Sequence, residues 1–375
     1  MPAPVTVTGP LVGIRVVDLT HHLGGPLATM ALGQMGADVV KVEPPSGDEW
    51  RGVDDVEGES RQFHAANRDK RGIVLDLRTP EGREALGALI DGADVLVHSF
   101  SPGVADRIGA GADEALARNP RLIHCSLSAF GPGGRRGTDV ALQCESGLVA
   151  ANGGRVVPVP VHDTIAPFVM VAGILAALYE RERSGRGQVV ETSLLEASAA
   201  LAAHRLIREG SGEPMFNRFV GALYRPYPTA DGAIALACYA PSMHLRLFET
   251  LGLPELAGDE RFATLPARAA HSDELAELIG ARLASETTAT WRERLSAAGL
   301  PHGLVSDRPH SLLDHPDARS IGLVVEVDDP TLGPELVTGP PVRFSRTPAR
   351  TSRPAPRLGE HTREVLDEIG APVPG

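Results

Sequence analysis

Cysteine is scarce in this chain: three residues in 375, Cys125, Cys144 and Cys238, with no C-x-x-C pair among them. That excludes a disulfide framework and a cysteine-rich zinc site, and the count suits a reducing cytosol. Positive charge is in deficit, 36 Lys and Arg against 48 Asp and Glu, for a net charge of −12. Such a surface does not attract nucleic acid or anionic lipid as a whole, so any phosphate site has to be a local basic pocket. The longest apolar run, residues 169–179, is too short to span a bilayer. Residues 1–13 lack the basic start and long apolar stretch of a secretory signal. These absences lead us to expect a cytoplasmic protein with neither nucleic acid nor membrane as partner. The common catalytic strings G-x-S-x-G, G-x-x-x-x-G-K-[ST] and H-E-x-x-H are missing too, which removes the usual support for a serine hydrolase, a P-loop NTPase or a zincin. Gly109-Ala110-Gly111 lacks the third glycine and the preceding strand of a dinucleotide fingerprint.

What is present is a globular composition, 42% hydrophobic and 22% charged, in a chain long enough for two to three domains. Through the first two hundred residues, β-branched runs at 14–18, 38–42, 72–75, 94–98, 122–127 and 188–192 alternate with helical patterns. Those patterns cover 26–35, 80–91, 113–118, 139–151, 164–184 and 193–209. The alternation predicts a parallel α/β sheet of the nucleotide-binding kind. Ser211-Gly212-Glu213-Pro214 then breaks the pattern, and runs at 224–229 and 233–237 around Asp231-Gly232 read as a β-hairpin. Helical patterns at 241–251, 267–285 and 287–298 complete a small α+β domain. From Ile321 the chain is β-like again. Residues 340–356 interleave proline with arginine and cannot be helical, so they read as an extended strap, and a short helix follows at 360–369.

Asp163 is the informative acid. It lies between the proline-punctuated stretch 158–162 and a strongly apolar helical pattern, where a carboxylate needs a reason to be. One reading makes it the N-cap of that helix. The other makes it a nucleophile or general base in a partly desolvated cleft, where a helix N-terminus also supplies donors for an oxyanion. His21 and His22 are adjacent and would point apart, so a structural or substrate-lining role suits them better than metal ligation.

An ordered set of strings resembles the family III coenzyme A transferases, the CaiB/BaiF family. It begins with Gly13-Ile14-Arg15-Val16-Val17-Asp18-Leu19-Thr20, Gly25-Pro26, Gly36-Ala37-Asp38-Val39-Val40-Lys41-Val42-Glu43-Pro44 and Gly47-Asp48. It continues with Asn67-Arg68-Asp69-Lys70-Arg71, Pro80-Glu81-Gly82-Arg83, Pro102-Gly103-Val104, Asn119-Pro120-Arg121, Ser184-Gly185-Arg186-Gly187-Gln188 and Pro356-Arg357-Leu358-Gly359-Glu360. Each piece alone is weak; the ordered set covers nearly the whole chain.

The resemblance implies a large Rossmann-like α/β domain with a parallel sheet built from both chain ends, 1–215 and 325–375. It adds a smaller α+β domain, 216–324, and a homodimer of interlocked rings. It implies a CoA-transferase moving coenzyme A between an acyl-CoA and a free carboxylic acid, with no metal and no cofactor beyond CoA as substrate. Asp163 matches the position of the family's catalytic carboxylate. His22, Leu23 and Gly24 match the oxyanion and CoA segment, and Leu75, Ser99, Phe100 and Val104 match positions lining the nucleotide pocket. Arg107 matches a CoA-contacting arginine, Lys70 and Arg71 are further basic candidates, and Ser128 and Ala129 stand where one branch has Lys-Gly. Leu23 replaces a glutamine seen in some members, which leaves any oxyanion donor to the backbone or to His22. Two alternatives stay open: a 2-methylacyl-CoA racemase, whose second base would be a histidine where Thr138 stands, and a CoA-binding paralogue without turnover.

Overall fold

The computed structural model describes residues 8–53, 55–56, 59–203, 221–309 and 311–371. Six parallel strands form one sheet: β1 (Arg15–Leu19), β2 (Asp38–Glu43), β3 (Arg71–Val74), β4 (Val95–His98), β5 (Ile123–Ser128) and β6 (Gln188–Ser193). Their order across the sheet is β3-β2-β1-β4-β5-β6. Every expected strand is present, each bound within one residue. The runs are strands because both faces are covered: Val16, Val39, Val95 and Val97 enter one apolar core, while Val17, Val40 and Leu96 enter the other.

The first core is closed by α1 (Gly24–Gln34), α3 (Asp139–Glu145), α4 (Val161–Ser184) and α5 (Leu194–Ala202), and the second by α2 (Pro80–Asp91) and α6 (Thr362–Ile369). α2 starts as its sequence dictates, Thr79 Oγ1 accepting from Gly82 N with Pro80 in the first turn. Three helical expectations need correction. The pattern at 139–151 breaks after Glu145, because Gly147 adopts φ 82° before a separate turn at Leu148–Ala151. The pattern at 164–184 starts three residues earlier, at Val161. The one at 267–285 divides into Leu265–Ala270 and Ser272–Leu283. A helix at Arg61–Asn67, capped by Ser60, was not foreseen. The end of the 193–209 pattern and the 211–214 breaker lie outside the described residues.

α4 is 24 residues long and, by length and composition alone, apolar enough to cross a membrane. In this fold Ala166, Met170, Ile174 and Ala177 along it are core residues.

The chain divides into two compact units, Met1–Ala203 with Leu313–Gly375, and His204–Leu312. The second contains a three-stranded antiparallel sheet in the order His302–Leu304, Ala233–Ala237, Tyr224–Pro228, the last two being the expected hairpin. Trp291, fully buried, anchors its core and donates from Nε1 to Leu283 O at 2.9 Å. In the first unit, a hairpin of Val324–Asp329 and Gly333–Thr338 leads into the strap, residues 339–358, which has no helix or strand. The strap is held residue by residue: Arg350 N donates to Gln34 O, Asp69 Oδ1 accepts from Ser352 N and Arg353 N, and Arg51 donates to Pro356 O. At its end, His361 Nδ1 and Thr362 Oγ1 accept from the amides of Gly72 and Val74 on the edge strand β3.

Candidate active site

From β1 the chain turns back to β2 on one side of the sheet, while β4 lies on β1's other side. This reversal opens a crevice at the carboxyl ends of the strands, where α/β folds place their ligands. A cavity of about 770 Å³ lies there. The segments leaving β1 (His21–Gly25), β4 (Ser99–Pro102), β5 (Ser128, Ala129 and 134–138) and β6 (Leu194) all line it, together with Asp163.

A buried ionic network carries the first of these segments. Lys70 Nζ donates to Asp18 Oδ2 at 2.9 Å, to Pro26 O at 2.9 Å and to Asn67 Oδ1 at 2.8 Å, which uses all three of its protons. Lys41 Nζ donates to Thr20 O at 2.8 Å and Asp48 Oδ2 at 3.0 Å. Asp48 in turn accepts from Trp50 N, which sets Trp50 on the cavity wall. Burial would raise the Asp18 carboxyl, but Lys70 and Lys41 beside it, with the Thr20 and Thr29 hydroxyls, hold it well below the usual range. Burial lowers Lys70 to about 8 against the pull of Asp18.

Above this base the chain turns sharply into α1. A Cβ at Gly25 would stand 2.5 Å from Thr20 Cβ, so only glycine fits. A Cβ at Gly24 would meet Leu127 at 3.1 Å and Asp163 O at 3.4 Å, so the missing side chain lets α1 and α4 approach end to end. The first-turn amides of α1 have no intrahelical acceptor and open at the cavity. His22 holds φ 66°, a conformation strained for a residue with a side chain, and its Nε2 lies 3.1 Å from Glu49 Oε2.

Asp163 sits in the first turn of α4 but does not cap it. The N-cap position belongs to Pro160, and the carboxylate of Asp139 reaches the helix head from the segment after β5. Its Oδ1 accepts from His162 N at 2.6 Å and Asp163 N at 3.4 Å, while Oδ2 accepts from Gln143 Nε2 at 2.6 Å. Asp163 therefore keeps its own carboxylate for the cavity. Burial raises that carboxyl to about 6, the nearby Asp139 charge adds to the rise, and His22 opposes it.

Seven of the twelve CoA-contact candidates line the cavity: His22, Leu23, Gly24, Ser99, Phe100, Ser128 and Ala129. Phe100 stacks on His98 at 5.5 Å. Val104 and the exposed Arg107 form the turn that follows Pro102, beyond the lining. Lys70, Arg71 and Leu75 are not brought to the cavity: Lys70 is saturated by Asp18, Pro26 and Asn67, and Leu75 is core. The Arg71 guanidinium binds Asp38, Glu364 and Glu368. Thr138 lines the cavity, and His162 is fully buried with Nε2 3.4 Å from Ser146 Oγ. Sequence reasoning missed Asp139 as the cap and Arg135 and Arg136 on the wall. The polar run Gly134-Arg135-Arg136-Gly137, just before a helix start, was the available signal. His21 and His22 both line the cavity, their ring centroids 6.5 Å apart. Away from the cavity lining, His64, Asp329 and Glu335 bring ligand atoms within 4.8 Å of one another and tie the 324–338 hairpin to the helix at 61–67.

Residues 11–362 match the family model for CoA-transferase family III. The succinate–glutarate CoA-transferase of Agrobacterium fabrum is 35% identical, covering 96% of each chain. The human succinyl-CoA:glutarate CoA-transferase is 31% identical, over 96% of this chain and 86% of its own. Among solved structures, the orthorhombic form of Rv3272 from Mycobacterium tuberculosis superposes with a TM-score of 0.83 at 31% identity, covering 95% of this chain and 98% of that one.

Proposed function

The chain belongs to CoA-transferase family III and is a CoA-transferase, and from that premise we propose that Asp163 is the nucleophile on which coenzyme A changes partners. The observation that carries this is the uncapped, half-buried Asp163 carboxylate, facing the cavity across from the first turn of α1. A carboxylate oxygen attacks the thioester carbonyl, and the C–S bond breaks, leaving a mixed anhydride and CoA thiolate. The thiolate attacks the aspartyl carbonyl, releasing the donor acid and forming an aspartyl-CoA thioester. The acceptor carboxylate attacks that thioester, and the returning thiolate takes the new acyl group and frees Asp163. No proton is gained or lost overall. Each tetrahedral oxyanion needs donors, and we assign that role to the open amides of α1 together with His22.

In this reading the pantetheine arm runs along Ser99, Phe100, Ser128 and Ala129 of the lining, and Val104 and the exposed Arg107, in the turn after Pro102, answer the nucleotide and its phosphates. We read the acid as a medium-sized organic acid rather than formate or oxalate. The relatives include enzymes named for D-citramalate and for oxalate. A cytoplasmic location fits a CoA-dependent reaction. An interlocked homodimer fits Phe168 and Tyr179, which stand 61% and 70% exposed on α4. Light scattering then gives twice the chain mass, and a monomeric mass at micromolar concentration ends that part of the reading.

The test of the nucleophile is chemical trapping. Enzyme loaded with acyl-CoA and quenched with hydroxylamine should carry the hydroxamate on a peptide containing Asp163. Modification on Glu145 or Glu191 instead removes the assignment.

A further inference from the structure

We propose that Asp139 and Gln143 are positioning residues for the transfer, clamping residues 157–163 onto α3 and so fixing where the Asp163 carboxylate stands. This deepens the reading of Asp163 as nucleophile and rests on it. The stretch before α4 has little means of holding itself. Residues 155–160 form neither helix nor strand, and Pro158 and Pro160 have no N–H to donate.

Two side chains hold the stretch instead. Asp139 and Gln143 stand about one turn apart on α3 and are both buried, 6% and 1% exposed. Gln143 bonds the stretch as a neighbouring strand would. Its Oε1 accepts from Val157 N at 2.8 Å, and its Nε2 donates to Val157 O at 3.1 Å and Val159 O at 3.3 Å. The same Nε2 donates to Asp139 Oδ2 at 2.6 Å, leaving the other oxygen, Oδ1, to the amides of His162 and Asp163. Main-chain groups of Val157, Val159, His162 and Asp163 thus all end on this pair.

Neither Asp139 nor Gln143 is on the cavity lining, so both act through Asp163. That carboxyl has to keep its place through the whole exchange, first attacking the thioester and then being attacked at its own carbonyl by the thiolate and by the acceptor acid. A misplacement of about 1 Å can cost about 100-fold in rate. Asp139 acts through its charge as well. Burial raises the Asp163 carboxyl and the Asp139 charge adds to the rise, against His22 at the head of α1. The other ionisable groups nearby are His21, Arg135 and Arg136 on the lining and the buried His162, whose Nδ1 lies 3.3 Å from Asp139 Oδ1. Asp139→Asn keeps an oxygen for the His162 amide and removes the charge, which separates the two effects.

The test is single-turnover formation of the aspartyl-CoA thioester, with CoA affinity measured by calorimetry, on the wild type, Asp139→Ala, Asp139→Asn and Gln143→Ala. The donor is whichever of succinyl-, glutaryl- and butyryl-CoA the wild type uses fastest. Both alanine variants should lose about 100-fold in rate with the CoA dissociation constant within about threefold of wild type. Asp139→Asn should recover much of the rate and move the acid limb of the pH–rate profile to lower pH. An alanine variant that reacts at the wild-type rate overturns the proposal, as does a loss of CoA affinity equal to the loss of rate. An acid limb unmoved in Asp139→Asn overturns it too. If Asp139→Ala lacks the wild-type circular dichroism, the other two variants decide by the same measures. If hydroxylamine traps no thioester on Asp163 in the wild type with any of the three donors, the nucleophile reading itself falls and takes this one with it. Trapping on Asp163 with unchanged variants removes the clamp alone.

Discussion

Asp163→Asn should lower thioester exchange by on the order of 10⁴-fold, as loss of a nucleophile does elsewhere, while making the protein more stable at pH 8. The activity follows from chemistry, since an amide cannot form the anhydride. The stability follows from the cost of keeping that carboxylate half-buried beside Asp139. Its folded value of about 6 lies above the ordinary 3.8. The folded state therefore binds the extra proton between those values, and stability falls as pH rises through that window and stays lower above it. The full difference is about 3 kcal/mol, from about 1.4 kcal/mol per pH unit. Asparagine carries no charge to bury and avoids that loss, less the ~0.3–1 kcal/mol that an anion contributes near a helix start. Thermal unfolding should accordingly put the variant above the wild type at pH 8 and level with it at pH 3. The wild-type rate should fall on the acid side with an apparent pKa near 6, because only the ionised group attacks. An Asn variant that still exchanges CoA, or one less stable than the wild type at pH 8, contradicts this account.

Asp18→Ala should cost about 3–5 kcal/mol, because it strands the fully buried Lys70 ammonium without its counter-charge. Thr20 and Thr29 lose an acceptor at the same time. The Asp18 carboxyl is held below its unfolded value, so its contribution is complete at neutral pH and declines only below about pH 4. Urea unfolding at pH 7 reads the loss as a lower midpoint at unchanged slope. Adding Lys70→Met should recover much of it, since a buried ion pair exchanged for apolar groups is often close to neutral. A single variant within 1 kcal/mol of the wild type would mean that the pair is hydrated or repacks freely. Because Lys70 also donates to Pro26 O in the first turn of α1, the loss should extend to exchange activity, by displacing the His21–Gly25 segment.

The strands were legible because runs such as Val95–His98 are buried on both faces and admit no helical alternative. Helix starts were not, where the cap comes from far along the chain. Asp139 stands 24 residues before the Asp163 amide it accepts from, so no local pattern announced a start at Val161. The candidate nucleophile was legible only through the ordered resemblance, since an acid before an apolar helix reads first as a cap. Lys70 and Arg71 looked like phosphate ligands for a related reason. Their acceptors are 52 residues back, at Asp18, and nearly three hundred ahead, at Glu364 and Glu368, and charge alone does not disclose a partner at that distance.

The edge strand β3 depends for two of its amides on His361 and Thr362, which are separated from it by 289 and 288 residues. During synthesis the N-terminal sheet leaves the ribosome long before those residues exist. The nascent chain therefore carries an unpaired parallel edge for most of its elongation, open to pairing with any neighbouring strand. Closing contacts so distant in sequence also slows refolding from denaturant, because the loop entropy is lost before the contacts form. Production of this enzyme should thus be limited less by the stability of the finished fold than by protection of one strand edge until the last turn of chain arrives.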